Sequence, residues 1–183
     1  PAIVGTENAT DILKDSDIIT ISCAEGAIGN VYQGELEFEI QESDISHLAK
    51  PKTKIMMNVG NPEIAFSLAS LPTDGIGLAR MEFIINNYIK VHPMALLHPQ
   101  KVDQTTQLQI TNMAHAYEDD PETFFIKTLS EGVATIAASV YPNPCVIRMS
   151  DFKTNEYASL MGGSVFEPKD ENPMIGFRGA ARY

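Results

Sequence analysis

A chain of 183 residues, 44% hydrophobic and 20% charged, has the make-up of a soluble globular protein and is long enough for one ordinary domain or two partial ones. It contains no apolar run of about 18 residues, which excludes a spanning helix and hence a membrane partner, and its start, Pro1-Ala-Ile-Val-Gly5, has no basic segment of a secretory signal. The net charge of −11 argues against nucleic acid, whose recognition needs clustered Lys and Arg; solubility accounts for it.

The first 38 residues read as β structure. Asp17–Cys23 is rich in β-branched residues, Ala24-Glu25-Gly26 offers a turn, and Ala27–Gln33 returns as a second strand. Glu35-Leu-Glu-Phe-Glu-Ile40 alternates as a third strand would. Two or three strands alone make a marginal domain. The composition then turns polar from Gln41 to Lys54, around Pro51, as in a linker.

Lys54–Val59 reads as a short apolar strand, and Asn61-Pro62 supplies an N-cap and a proline for the first helical position. Ile64, Leu68 and Leu71 follow at helical spacing. Asp74–Arg80 reads as a strand, and Met81–Ile85 opens the next segment. Residues 101–117 form a weakly patterned helix. Asp120-Pro121 starts a longer one, with Phe125, Leu129, Val133, Ile136 and Val140 on one face, ending before Pro142. Cys145–Met149 is a further strand. Strands alternating with helices predict an α/β fold with a parallel sheet.

Arginine is scarce: nine lysines accompany only Arg80, Arg148, Arg178 and Arg182. A guanidinium can grip a carboxylate or phosphate through two hydrogen bonds, which lysine cannot. In α/β barrels reactive groups stand at the C-terminal ends of strands, where Arg80 and Arg148 are expected. Arg148 is followed by a polar loop holding Asp151, Lys153, Asn155 and Glu156, with Gly162-Gly163 permitting a sharp turn, and Arg178 lies between two glycines in the segment that begins at Asn172. Three such arginines at one mouth would make an electropositive pocket for a small, multiply charged anion. The motif Gly75-Ile-Gly77 lacks the rest of a nucleotide-binding fingerprint. His47, His92, His98 and His115 stand in no nucleophile or metal constellation and read as structural or surface residues. Cys23 and Cys145 read as buried thiols of a reducing compartment, and the methionines as core filling.

The stretches Thr73–Ile85, Val91–Leu97, Val146–Ala158 and Glu171–Gly179 resemble the barrel domain of the phosphoenolpyruvate synthase (pyruvate, water dikinase) family of PEP-utilising enzymes. Asp151-Phe-Lys-Thr-Asn-Glu-Tyr157 is the most specific of them. Pro1–Gly5 and Ser22–Gly26 resemble the end of that family's swivelling phosphohistidine domain. The resemblance implies that residues 1–40 are the C-terminal end of the swivelling domain, 41–53 a linker, and 54–183 the N-terminal portion of a (β/α)8 barrel that binds pyruvate or phosphoenolpyruvate. It implies a cytoplasmic transferase, a homodimer through its barrel, that uses ATP and water to convert pyruvate to phosphoenolpyruvate with release of AMP and phosphate, through a phosphohistidine. Arg80, Arg148 and Arg178 would bind substrate, supported by Asp151, Lys153, Asn155, Glu156 and Asn172. No catalytic or metal-binding residue is expected within the segment. The phosphorylated histidine, the carboxylates that bind Mg²⁺, the catalytic cysteine and the ATP-binding domain are expected outside it.

The chain thus reads as an interior piece of a longer enzyme, inactive by itself. The alternatives are a non-catalytic binding module and a related phosphoenolpyruvate-dependent phosphotransferase, the latter disfavoured by the loop after Arg148.

Overall fold

Short elements divide between two units, residues 1–45 and 46–183, in a computed structural model that describes residues 3–24, 28–42, 44–45, 47–169 and 177–182. In the first unit α1 (Ala9–Ile12) precedes an antiparallel pair, β1 (Ile19–Ser22) and β2 (Asn30–Gln33). Ile19 faces Gln33 and Ser22 faces Asn30. The alternating segment 35–40 is not a strand. The Thr20 hydroxyl donates to Gly34 O (2.7 Å) and accepts from Leu36 N (3.0 Å), closing the ribbon there. Beyond it Leu36, Phe38 and Ile40 are exposed, Phe38 by 84%. Alternation defines two faces, but a strand also needs a neighbouring edge for its amides and a surface to cover. Cys23 is likewise exposed rather than buried. The turn expected at residues 24–26 lies partly outside the described residues.

The second unit carries three parallel strands in the order β3 (Met57–Val59), β4 (Ile76–Arg80), β5 (Cys145–Arg148). Between β3 and β4 the Asn61 carboxamide accepts from Glu63 N at 3.0 Å, starting a 3₁₀ turn over Pro62–Ile64 that runs into α2 (Ala65–Leu68). Four helices separate β4 from β5: α3 (Glu82–Ile84), which continues as a π turn over Ile85–Ile89, α4 (Pro93–Leu97), α5 (Gln104–Ala114) and α6 (Pro121–Ser139). After β5 comes α7 (Thr154–Ser159).

Start signals are explicit in the chemistry. Asp103 caps α5 through Thr106 N (3.0 Å), and Asp120 caps α6 through Glu122 N and Thr123 N (both 3.2 Å) with Pro121 at the first turn. The weak pattern over 101–117 conceals a buried stripe of Thr106, Ile110 and Ala114, four residues apart. On α6, Phe124, Ile136 and neighbouring Val140 are buried, while Phe125, Leu129 and Val133 are partly so. Ile136 and Val140 pack with Val59, Ile76, Ala79 and Ile84, so α6 covers one face of the sheet. A second cluster joins Ile85, Ile89, Val91, Leu96, Ile110, Phe124, Phe152 and Leu160. Between the π turn and α4, Val91 bridges in parallel to Met161, with His92 N donating to Met161 O at 3.0 Å.

Gly75 and Gly77 serve this sheet. Gly75 adopts φ +127°, and a Cβ there would collide with the Pro144 carbonyl oxygen and meet Met56 Cε at 3.3 Å; one at Gly77 would meet Met56 Cβ at 3.2 Å. Cys145 is only partly buried, and that burial pushes its thiol up. No helix among the described residues is long and apolar enough to cross a membrane.

Gly75→Ala should therefore destabilise the protein by at least about 1–3 kcal/mol, the usual cost of a disallowed backbone conformation, read as a lowered urea midpoint at unchanged slope. An unaltered midpoint would show that β4 and β5 tolerate a side chain between them.

Candidate arginine-lined functional site

Parallel strands in register end together, and β4 and β5 pair Arg80 with Arg148. The two side chains therefore emerge side by side at the C-terminal edge of the sheet. Arg80 lies over the Phe83 ring, 4.6 Å from Cζ to the centroid, and donates to no acceptor among the described residues. Arg148 Nη2 donates to Glu82 Oε1 at 2.6 Å. The same oxygen accepts from Asp151 N at 2.8 Å, which fixes the start of the loop after β5. Asp151 then receives Arg178: Nε to Oδ1 at 3.0 Å, Nη2 to Oδ2 at 2.8 Å, and Nη2 to the Asp151 carbonyl at 3.2 Å. Arg148 Nη1 stands 3.9 Å from Asp151 Oδ2.

Arg80, Arg148 and Arg178 thus converge on one cleft of about 340 Å³, together with Glu82, Asp151 and Lys153. Lys153 also caps α7, its backbone N–H donating to Glu156 Oε2 at 2.7 Å. Glu156 lines the cleft as well. Asn155 does not: it is exposed and absent from the lining. Asn172 lies outside the described residues.

Four cations face three carboxylates, Glu82, Asp151 and Glu156, each already holding protein donors. The hydrogen bond from Arg178, and its charge, hold the Asp151 carboxyl below its ordinary range, while the same contact raises Arg178. Both groups are charged at neutral pH. Arg148 Nε and Glu82 Oε2 are buried without a partner, whereas Arg148 Nη1, 3.9 Å from Asp151 Oδ2, makes no hydrogen bond among the described residues and remains a donor for whatever enters. Room for a small molecule, an unengaged Arg80 fork and an unused Arg148 N–H suit a compact anion such as a phosphate or carboxylate.

Glu82 is the residue that sequence reading passed over. It is only 7% exposed, although it lies two residues after Arg80 at the first position of a helix, where a carboxylate also complements the helix dipole. Removing it takes the acceptor from two donors, of which the Asp151 N–H is the more enclosed and the Arg148 side chain is 41% exposed. Glu82→Ala should cost about 1–3 kcal/mol in all, chiefly for the Asp151 N–H left without its acceptor, measured by urea denaturation; a loss below about 0.5 kcal/mol would mean that Arg148 and the loop hold their places without it.

A second cluster joins the same loop. Ser150 Oγ lies 2.8 Å from Tyr157 Oη, and the Tyr157 ring meets His92 edge-on. His92 is 3% exposed. Its Nδ1 accepts from Met94 N at 3.1 Å, which places the neutral ring's proton on Nε2, facing Glu167 Oε1 at 3.0 Å. Arg182 grips Glu167 with both Nη atoms, at 2.8 and 2.7 Å. Burial lowers the His92 pKa despite the opposing pull of Glu167. Burial would raise Glu167, but hydrogen bonds from Arg182 and His92 outweigh it and leave it lowered.

His92, Glu167 and Asp151 all have folded-state pKa values below their unfolded ones. The unfolded chain therefore binds more protons as pH falls, and the stability these groups provide, complete above about pH 6.5, is lost first through the His92 range and then the carboxylate range. Amide-exchange protection of α4, corrected for the intrinsic rate, should fall between pH 7.5 and 4; flat protection over that window would refute the assignment.

Residues 38–183 match the family described as PEP-utilising enzyme, PEP-binding domain. All of this chain aligns with the phosphoenolpyruvate synthase of Neisseria meningitidis serogroup B at 55% identity over 183 residues, covering 23% of that protein. All of it also aligns with those of Synechocystis sp., at 54% over 184 residues and 22% of that protein, and of Escherichia coli, at 49% over 183 residues and 23%. The chain spans less than a quarter of the length of these curated relatives. Since the family match takes in the whole second unit with its arginine cleft, this chain belongs to the PEP-utilising enzyme family, with residues 38–183 in its PEP-binding domain.

Proposed function

We propose that this chain is part of a phosphoenolpyruvate synthase and that its cleft holds pyruvate and phosphoenolpyruvate. One observation carries the reading: strand register pairs Arg80 with Arg148, and Asp151 brings Arg178 into the same cleft. The likeness to proteins named phosphoenolpyruvate synthase along the whole chain supports it. In this reading the three parallel strands open a (β/α)8 barrel, residues 1–40 end a swivelling phosphohistidine domain, and 41–53 link the two. The complete enzyme is a cytoplasmic homodimer, and its ATP and phosphohistidine are held by other parts of it.

The reaction breaks the phosphorus–nitrogen bond of a phosphohistidine and forms a phosphorus–oxygen bond to the enolate oxygen of pyruvate, whose methyl group has given up a proton. Such transfers depend on positioning and on neutralising oxygen charge. Arg80 and Arg148 offer unengaged N–H groups to the phosphoryl oxygens or the carboxylate, and Arg178, braced by Asp151, adds positive potential. Among the described residues no three His, Cys, Asp or Glu side chains stand together to hold a metal. Glu82 and Asp151 are both committed to arginines.

In the full-length enzyme, Arg148→Ala should reduce phosphorylation of pyruvate by about 10²–10³ while ATP still phosphorylates the histidine. Equal loss of both half-reactions, or of neither, would remove the assignment.

A further inference from the structure

Arg182 is the arginine with no part in the cleft, and it is the more deeply buried member of its segment. Its side chain is 13% exposed and that of Glu167 4%, whereas those of Arg178 and Asp151 are each 29% exposed. Arg182 uses its whole guanidinium. The two Nη atoms take both oxygens of Glu167, Nε donates to the Phe177 carbonyl at 2.8 Å, and the planar group lies 4.4 Å from the Tyr157 ring centroid and 4.7 Å from that of Phe177. Phe177 immediately precedes Arg178.

These contacts close a circuit. Arg178 is held by Asp151, the neighbour of Ser150; Ser150 is bound to Tyr157; Tyr157 carries Arg182; and Arg182 holds the carbonyl of the residue before Arg178. A second tie runs from Glu167 to His92 at the start of α4. The cleft side of this segment is half-open and its far side is clamped. That division is what a positioning device requires: ordering the backbone in advance spares the entropy of ordering it on binding.

We propose that Arg182 is a positioning residue for Arg178, setting the backbone from which Arg178 reaches the cleft. The inference rests on the reading that Arg178 contributes to binding of pyruvate or phosphoenolpyruvate. Both fork geometry and planarity are used, so lysine should not replace arginine here.

The test uses the full-length enzyme with Arg178→Ala, Arg182→Gln, Arg182→Lys and the Arg178→Ala/Arg182→Gln pair. Arg182→Gln is expected to raise KM for pyruvate roughly tenfold or more, with ATP-driven histidine phosphorylation unchanged and faster amide exchange at residues 177–182. Arg182→Lys should behave the same way. If Arg182 acts through Arg178, the paired variant should match Arg178→Ala within about twofold. Multiplied penalties in the pair, or equal loss of the ATP half-reaction, would overturn the inference. Unchanged exchange at 177–182 would overturn the clamp itself. Should exchange quicken while Arg178→Ala leaves pyruvate KM unaltered, the clamp stands and the fault lies in the assignment of Arg178 to the substrate.

Discussion

The Glu82 carboxylate is the group on which the cleft depends. One oxygen receives both the Arg148 guanidinium and the backbone of Asp151, so a single buried charge fixes an arginine on β5 and the first residue of the loop beyond it. Taking a carboxylate out of water is expensive unless charge and hydrogen bonds compensate. Here the compensation comes from the very groups that the site needs in place. Asp151, placed by that contact, then carries Arg178.

The arrangement converts a polar chain of contacts into an electropositive surface. Each carboxylate faces an arginine or caps a helix, which leaves Arg80 and the Nη1 of Arg148 without a hydrogen bond among the described residues. The chain as a whole carries −11, so the cleft is a local reversal of sign that favours small anions over the rest of the surface. Behind the loop, His92, Tyr157, Glu167 and Arg182 form a stacked and hydrogen-bonded support. Arginines in the cleft keep part of their surface open, while the supporting arginine is nearly enclosed.

Much of this was legible where a local signal coincides with a global requirement. Asn61 and Asp120 mark helix starts because an unpaired helical N–H needs an acceptor whatever the surroundings. Arg80 and Arg148 could be placed at strand ends because each closes an apolar run. The alternating segment 35–40 misled, since alternation describes faces and says nothing of a neighbouring edge. A dense polar loop does not reveal which side chains line the cleft: Asp151, Lys153 and Glu156 do, while Asn155 is exposed on α7.

By itself the sequence determined the α/β alternation, the positions of the three strands in the second unit, the scarcity of arginine and the family resemblance. These are properties of nearest neighbours and of spacing along the chain. Only the tertiary structure decided that Arg80 and Arg148 are partners across a parallel ladder, that Glu82 meets Arg148 across 66 residues of sequence, and that His92 meets Glu167 across 75. Such pairings depend on register and packing, and a contact across that distance leaves no periodic trace in the residues that make it.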